Sequence, residues 1–533
     1  MKMKYAGIPI IALLLIVFSA LPSCNEEWDE HYYAAPANKS ELNIFDFIKS
    51  RSDLSKFTQM LEIAGYDSIL SKSQTFTVWA PTNAALENVD MNNLLQVTKI
   101  VTNHITRFSH PTAEVFKKSK KFTLKNNKIL NFEKVQNGYQ FGGKLITEPD
   151  LATLNGIVHV LGEYSPYMRN FWEFVNEQEG LDSLRKYLNS LSTLTFDEDR
   201  SFQDGVFVDS IFKETNYVLD YLAKLNSEDS VYTAILPDNA AWIEAYNKIF
   251  PYFVTLPKDG GQQMQVSLTK QLLVRDLFFS GRIQSPVTTD TLLSTWGNKF
   301  ANPERFFTNT AMTVLSNGNA YMSGQLKNEP SETWLKEFKW EAEYSNYRTS
   351  ANYTLSALPS IGSGFDISRG YYLYTIPTTT SDLASINNMF VKFALPNTLS
   401  AKYNIYCVVV PSIIVDANDL KPNRLRFFLS FVNSQGVMLN DQPVGANNNV
   451  ILSNLADLQK IPLATIYTTD PKQINKILVV KNFQFPYSNV VADSKTGIYT
   501  PTAFLRVNNA AKGTETAYKR TLRIDCVIFE PVQ

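Results

Sequence analysis

The sequence is short of the residues on which most site chemistry depends. It has three cysteines and four histidines in 533 residues. That is too few for a disulfide scaffold and makes a metal site of His and Cys alone a poor expectation. Charge is scarce as well: 19% of residues are charged, and 50 basic residues meet 51 acidic ones. Such a balance excludes the simple basic nucleic-acid binder. The 13% aromatic content excludes a disordered chain. After residue 21 no apolar run approaches the ~20 residues of a membrane-spanning helix. G-x-S-x-G, H-E-x-x-H and P-loop motifs are missing. What is there is a large globular chain of about three domains. It reads as a binder rather than an enzyme, with no cofactor, no metal and no nucleic-acid partner expected.

The first forty residues read as an address. Lys2 and Lys4 precede an apolar run from Ile8 to Leu21, the pattern of a secretory signal over residues 1–23. Leu21-Pro22-Ser23-Cys24 resembles a bacterial lipobox. That resemblance implies that Cys24 becomes the lipidated first residue, anchored by acyl chains at ~0.8 kcal/mol per buried CH₂. Asn25, Glu26, Glu27, Asp29 and Glu30 follow in a tether over 24–40 with no Lys or Arg before Lys39. The tether resembles the acidic export signal of Bacteroidota surface lipoproteins; the plainer reading is a solvated spacer. The expectation is a lipid-anchored outer-membrane protein facing the cell exterior.

Residues 41–165 carry three blocks in order. Asn43 to Lys49 is apolar at 44, 45, 47 and 48, and a second helical pattern runs from a capping Asp53 to Ala64 before Gly65. Phe76-Thr77-Val78-Trp79-Ala80-Pro81-Thr82-Asn83-Ala84-Ala85-Leu86 reads as strand, turn and helix, with Thr82 or Asn83 as the cap. A leucine-rich helix spans Leu94 to Ile105, and Asn155-Gly156-Ile157-Val158-His159-Val160-Leu161 reads as a closing strand. These blocks resemble the fasciclin (FAS1) domain. Asn103-His104 stands where that family has a Tyr-His pair, which is implicated in adhesion in eukaryotic members.

The blocks recur with erosion over 166–328. Phe171 to Val175, Thr233 to Trp242, Leu272 to Leu277 and Asn317 to Met322 echo them in turn. From Asn43 to Pro81 is 38 residues, and from Asn170 to Pro237 is 67, which places about 29 extra residues within 193–228. A second insertion of about 16 falls near 254–267. Long surface insertions cost little loop-closure entropy and often carry function.

Candidate site residues are few. His104 reads as a packed or capping histidine, or as an adhesive contact. His159 lies between apolar strand residues. Lys117, Lys118, Lys120 and Lys121 open a run of six lysines that ends at Lys128. The run reads as a solvated strand edge, where lysines deter edge pairing, or as a contact for anionic glycan or phosphate-rich surfaces.

From 329 to 533 short strands recur between Gly, Asn, Asp and Pro residues, as in an antiparallel β-sandwich. This part looks like the jelly-roll modules of secreted Bacteroidota proteins. The fold class is therefore α+β followed by β: two fasciclin-like domains, then a jelly-roll-like sandwich. Alternation places Cys407 with Ile405 and Val409, and Cys526 with Ile524 and Ile528, both facing the core. Free thiols are the first reading and a disulfide stays open. All seven tryptophans lie at or before Trp340, so a glycan platform in the sandwich has to use tyrosines such as Tyr371, Tyr372 and Tyr374. Alternation sets Tyr372 on one face and Tyr371 and Tyr374 largely elsewhere. The resulting functional expectation is a non-enzymatic surface lipoprotein, an accessory of a SusC/SusD-like uptake system with a glycan or protein ligand. An adhesin is the alternative, and a glycan-active enzyme in the sandwich a minor one.

Overall fold

The computed structural model describes residues 39–203, 206–207, 209–346, 348–360, 362, 364–379, 389–452, 464–489 and 501–532. The signal segment, Cys24 and the acidic residues 25–30 lie outside the described residues. The chain divides into two compact units, Met1–Asn170 and Phe171–Gln533.

In the first unit, α1 (Ile44–Ser50) starts at Asn43, whose side chain accepts from Asp46 N. Before α2 (Ser55–Ile63) runs a 3-10 turn, Ser52–Leu54. Asp53 therefore does not cap α2 and instead pairs with Arg51 at 2.7 Å. The cap comes from across the fold: Asn83 Oδ1 accepts from Lys56 N at 2.8 Å. Residues 83–88 are turn rather than the expected helix. The leucine-rich helix α3 (Leu94–Thr102) is capped by Asn93 and stops before Ile105, which belongs to a strand.

Seven strands follow the order β2-β1-β7-β6-β5-β4-β3. They are β1 (Phe76–Pro81), β2 (Ile105–Arg107), β3 (Lys120–Thr123), β4 (Ile129–Val135), β5 (Gly138–Phe141), β6 (Lys144–Thr153) and β7 (Gly156–Leu161). β1 runs parallel to β7 through its whole length. A Cβ on Gly156, at φ +150°, would stand 2.0 Å from the Phe76 carbonyl oxygen, so no other residue fits there. The helices bury Ile44, Phe57, Leu61 and Val97 against Val78 and Val158. On the sheet's other face Trp79 stacks on Phe141 with ring centroids 3.8 Å apart, among Phe122, Phe132 and Leu161. The two ends of the sheet curl together. Lys125 N donates to Ile105 O at 2.9 Å, and Thr106 Oγ1 to Thr123 O at 2.7 Å.

The second unit opens with helices Phe171–Glu177 and Asp182–Ser190. Tyr232–Pro237 pairs parallel with Gly318–Ser323 in a four-stranded sheet, the relation that β1 has to β7. The hairpin of Ser192–Phe196 with Phe212–Asn216 falls in the stretch where the sequence spacing expects a first insertion. A fifteen-residue helix, Gly261–Arg275, overlaps the second. Just before it, Tyr252 O accepts from Ser400 N at 2.9 Å and Val254 O from Ser488 N at 2.7 Å. These bonds join the stretch to the following sandwich, and one apolar cluster runs from Phe171 through Leu273 into Leu335, Tyr403 and Phe427. Packing thus continues across the boundary that the sequence pattern sets at 329.

The sandwich has two six-stranded sheets. One holds Phe338–Glu341, Tyr353–Pro359, Tyr371–Pro377, Lys402–Val409, Asn475–Gln484 and Arg523–Pro531. The other holds Thr349–Ala351, Phe390–Ala394, Arg424–Val432, Met438–Pro443, Tyr467–Thr468 and Phe504–Asn509. Their inner faces bring Leu373, Ile405, Cys407 and Val527 against Val391, Phe427, Leu429 and Leu505. Between Cys407↔Val527 and Val409↔Ile524 the register slips by one residue. This bulge turns Ile524 inward and leaves Cys526 on the outer face with Val408 and Ile528. The expectation that Cys526 shares a side with Ile524 therefore fails. Both cysteines are free and buried.

Candidate functional site

His104 has no exposed surface. Its Nδ1 lies 2.7 Å from Ile100 O and its Nε2 accepts from Ser165 N at 2.9 Å. Burial pushes its pKa down to about 4, against the weaker pull of the Ile100 carbonyl. It closes the end of α3 onto the segment after β7 and offers nothing to a partner at the surface. Asn103 beside it donates to Ser165 O at 3.1 Å and accepts from Asn126 at 3.0 Å. His159 is equally buried, bonded to Asp150 N and lying 3.0 Å from His110 O.

Lys117 and Lys118 are exposed in the turn before β3, and Lys120 and Lys121 are exposed within it. Lys120 pairs with Glu114 at 2.9 Å. Tyr371 is exposed, but Tyr372 is buried against Ile367 and Val410, with Tyr374 half-buried in the same cluster. Tyr372 and Tyr374 thus share a face, as strict period two requires and contrary to the expected split. The three tyrosines do not form one stacking platform.

A different face of the sandwich concentrates chemistry. On Phe390–Ala394, Phe504–Asn509 and Arg424–Val432 the residues between the inward ones point away from the other sheet. The Arg506 guanidinium lies 3.9 Å from the Phe390 ring centroid and 5.5 Å from that of Phe428. Asp441 receives Arg506 at 2.7 Å and Lys392 at 3.0 Å, and Lys392 stands over Phe504 at 4.9 Å. Burial raises the Asp441 pKa, but the two cations outweigh it and hold the carboxylate below its usual range. Arg426 and Asn508 are cross-strand partners on this face. Arg426 Nε and Asn508 Nδ2 are buried with no hydrogen-bond partner among the described residues. Aromatic rings, cations and orphaned donors on one sheet face can hold a ring-shaped, oxygen-rich ligand by stacking and hydrogen bonds. The alternation of cations with apolar residues in Arg424-Leu425-Arg426-Phe427-Phe428-Leu429 was the available signal for this face, and reading the strand only for its core passed over it.

One polar group lies elsewhere. Glu341, Asp525 and Cys526 place their acidic and thiol atoms within 4.8 Å of one another, all buried. Glu341 meets Ser368 Oγ at 2.8 Å and Arg369 at 3.5 Å, and Asp525 accepts from Ser368 N at 3.1 Å. Burial, with Glu341 nearby, pushes Asp525 up to about 6. Arg369, an exposed side chain, pairs with Glu341 at the rim of this group.

Residues 52–164 match the family model of the Fasciclin domain. The chain carries a fasciclin domain. Among solved structures, a FAS1 domain pair from the insect cell adhesion molecule Fasciclin I matches with 13% identity and a TM-score of 0.21, over 53% of this chain and 98% of that one. The CBM22-1–CBM22-2 tandem domain of Paenibacillus barcinonensis Xyn10C matches with 12% identity and a TM-score of 0.21, over 37% of this chain and 46% of that one. A xylan-binding domain from CBM 22 matches with 12% identity and a TM-score of 0.20, over 36% and 92%. No curated protein matches the chain. Within the fasciclin domain, the Asn-His stretch and the closing Asn155-Gly156 serve packing and capping, and the exposed chemistry lies on the lysine-bearing edge.

Proposed function

We propose that this protein is a non-catalytic surface lipoprotein that captures a glycan on the outer face of its sandwich. In this reading it serves a SusC/SusD-like uptake system as an accessory, and Cys24 with its acidic tether holds it at the outer membrane facing outward. One observation carries the binding proposal: two buried donors, Arg426 Nε and Asn508 Nδ2, lack acceptors among the described residues on a face that already carries Phe390, Phe428, Phe504 and Arg506. An unpartnered buried donor costs about 1–3 kcal/mol, and a ligand oxygen removes that cost.

The stretch 166–328 is, in the same proposal, a second and eroded fasciclin unit. Asn155 bonds Ile44 N, Leu70 O and Lys72 O; Asn317 bonds Phe171 N, Leu225 O and Ser227 O. Thr77 Oγ1 donates to Phe108 O, and Thr233 Oγ1 to Gly281 O. His159 Nε2 reaches His110 O, and Tyr321 Oη, one strand position for another, reaches Ile283 O. The tyrosine replaces the histidine while keeping its bond.

Titration of the full chain against neutral and acidic oligosaccharide panels tests the binding site. Binding lost in an Arg506→Met, Asn508→Leu double variant of unchanged stability supports it. Silence across the panels, or binding indifferent to the variant, overturns it. Capture of a matrix protein instead favours the adhesin, and turnover of the bound glycan favours an enzyme. Co-purification with a transporter pair from mild detergent tests the accessory role.

A further inference from the structure

The curl of the fasciclin sheet leaves a groove along its seam. β2 and β3 stand at opposite ends of the strand order, and bonds at Ile105 and Thr106 draw them together. Beside that contact opens a cleft of about 520 Å³ whose walls include Arg107, Phe108, His110, Lys121, Lys125 and Asn127. Its size lies within the range of small-ligand pockets.

The walls are cationic and unneutralised. Arg107, Lys121 and Lys125 make no ion pair among the described residues. The nearby carboxylate, Glu114, is already engaged by Lys120 and lies 3.2 Å from His110 Nδ1.

Phe108 supplies the second, independent observation. Its side chain is 66% exposed, and its backbone sits at φ +68°, a conformation that bulky L-residues avoid. Two bonds hold it there: its N donates to Thr75 O at 2.9 Å, and its carbonyl accepts from Thr77 Oγ1 at 2.8 Å. The fold thus fixes an apolar ring in water, in a disfavoured backbone state, at the mouth of a cationic cleft. Backbone strain of this kind persists where the surroundings over-determine it, and it points towards a site.

We infer that this seam is a binding groove for an acidic oligosaccharide, one bearing uronate or sulfate groups. Arg107, Lys121 and Lys125 meet the anionic groups, and Phe108 packs on the C–H face of a sugar ring. Inorganic phosphate uses the cations but has no use for the ring. A neutral sugar uses the ring and leaves the cations unanswered. The groove uses residues of the first unit only, so it stands or falls apart from the sandwich face.

The test is isothermal titration of the full chain with size-defined oligogalacturonate, sulfated oligosaccharide and, as the neutral control, maltohexaose. The inference expects at least one acidic ligand to bind and the neutral one not to. Three displaced counterions predict that affinity falls about 20- to 40-fold between 50 and 200 mM salt. Lys121→Gln with Lys125→Gln is expected to weaken binding by about tenfold or more and leave the melting temperature unchanged. Phe108→Asn removes the ring but suits the left-handed backbone. It should weaken binding while raising the melting temperature, a divergence that a purely structural phenylalanine does not give. Arg506→Met should leave this binding intact. Failure of both acidic ligands to bind, or binding that ignores both groove variants, overturns the inference. Equal affinity for single-stranded DNA or for phosphatidylglycerol vesicles overturns the ligand class.

Discussion

Replacing Asn317 with alanine puts the second unit under a defined strain. The side chain is fully buried and serves three backbone groups. It accepts from Phe171 N at 2.9 Å and donates to Leu225 O and Ser227 O at 2.9 Å each. Leu225 O keeps a bond from Trp172 N at 3.1 Å, so that carbonyl suffers least. The Phe171 N–H loses its side-chain acceptor, at a cost of about 1–3 kcal/mol, and each lost carbonyl bond adds about 0.5–1.5 kcal/mol. Together the loss comes to about 2–5 kcal/mol, a fall in melting temperature on the order of 10 °C. Scanning calorimetry of the full chain is the suitable assay, because two units need not melt in one transition. Asn155→Ala removes the matching bonds to Ile44 N, Leu70 O and Lys72 O, and should lower the other unit's transition by a similar amount. Asn317→Asp keeps the acceptor but replaces the two N–H donors with an anionic oxygen that faces two carbonyls, so at pH 7 it should be at least as damaging as alanine. A loss below about 1 kcal/mol for Asn317→Ala, or a stable Asn317→Asp, would refute the reasoning.

Further outcomes follow from the same geometry. His104 keeps a pKa of about 4 in the fold against 6.5 outside it, so the unfolded chain takes up the proton first as pH falls. Its contribution is complete above pH 6.5 and is lost towards pH 4, by up to about 3 kcal/mol. The stability gap between the parent and His104→Gln should therefore narrow between pH 7 and 4.5; a constant gap counts against this. Asp441→Asn leaves Lys392 and Arg506 facing each other and should cost about 2 kcal/mol in urea titrations, with no loss arguing that the pair is solvent-screened. Thiol reagents should label neither Cys407 nor Cys526 before unfolding, since both are buried and burial lifts the Cys407 thiol to about 12. Labelling of either in the native protein contradicts the packing.

The strands and helices of the first unit were legible because their signals are local. Trp79-Ala80-Pro81 ends a strand, and Asn155-Gly156 demands a tight approach that no side chain permits. What failed is non-local. Asn83 has the residue type of a cap, but only the folded chain shows that it caps a helix that precedes it. The position of Cys526 depends on a one-residue slip against a strand more than a hundred residues away, and period-two reasoning has no access to that slip. Lys121 was noted for its charge, yet its partner wall at Arg107 and Phe108 lies beyond a run of intervening sequence and is reached only because the sheet curls. The face around Arg506 collects residues from separate strands, each unremarked when read singly.

The register slip beside Val409 has a consequence for how the chain matures. Just before it Cys407 pairs with Val527, which leaves the thiols of two neighbouring strands on opposite sides of one sheet. No rotamer joins them without passing through the backbone ladder. Once this sheet has paired, an oxidant can therefore trap no covalent isomer between them. From that point on, an oxidant in solution finds no partner for either thiol across this sheet.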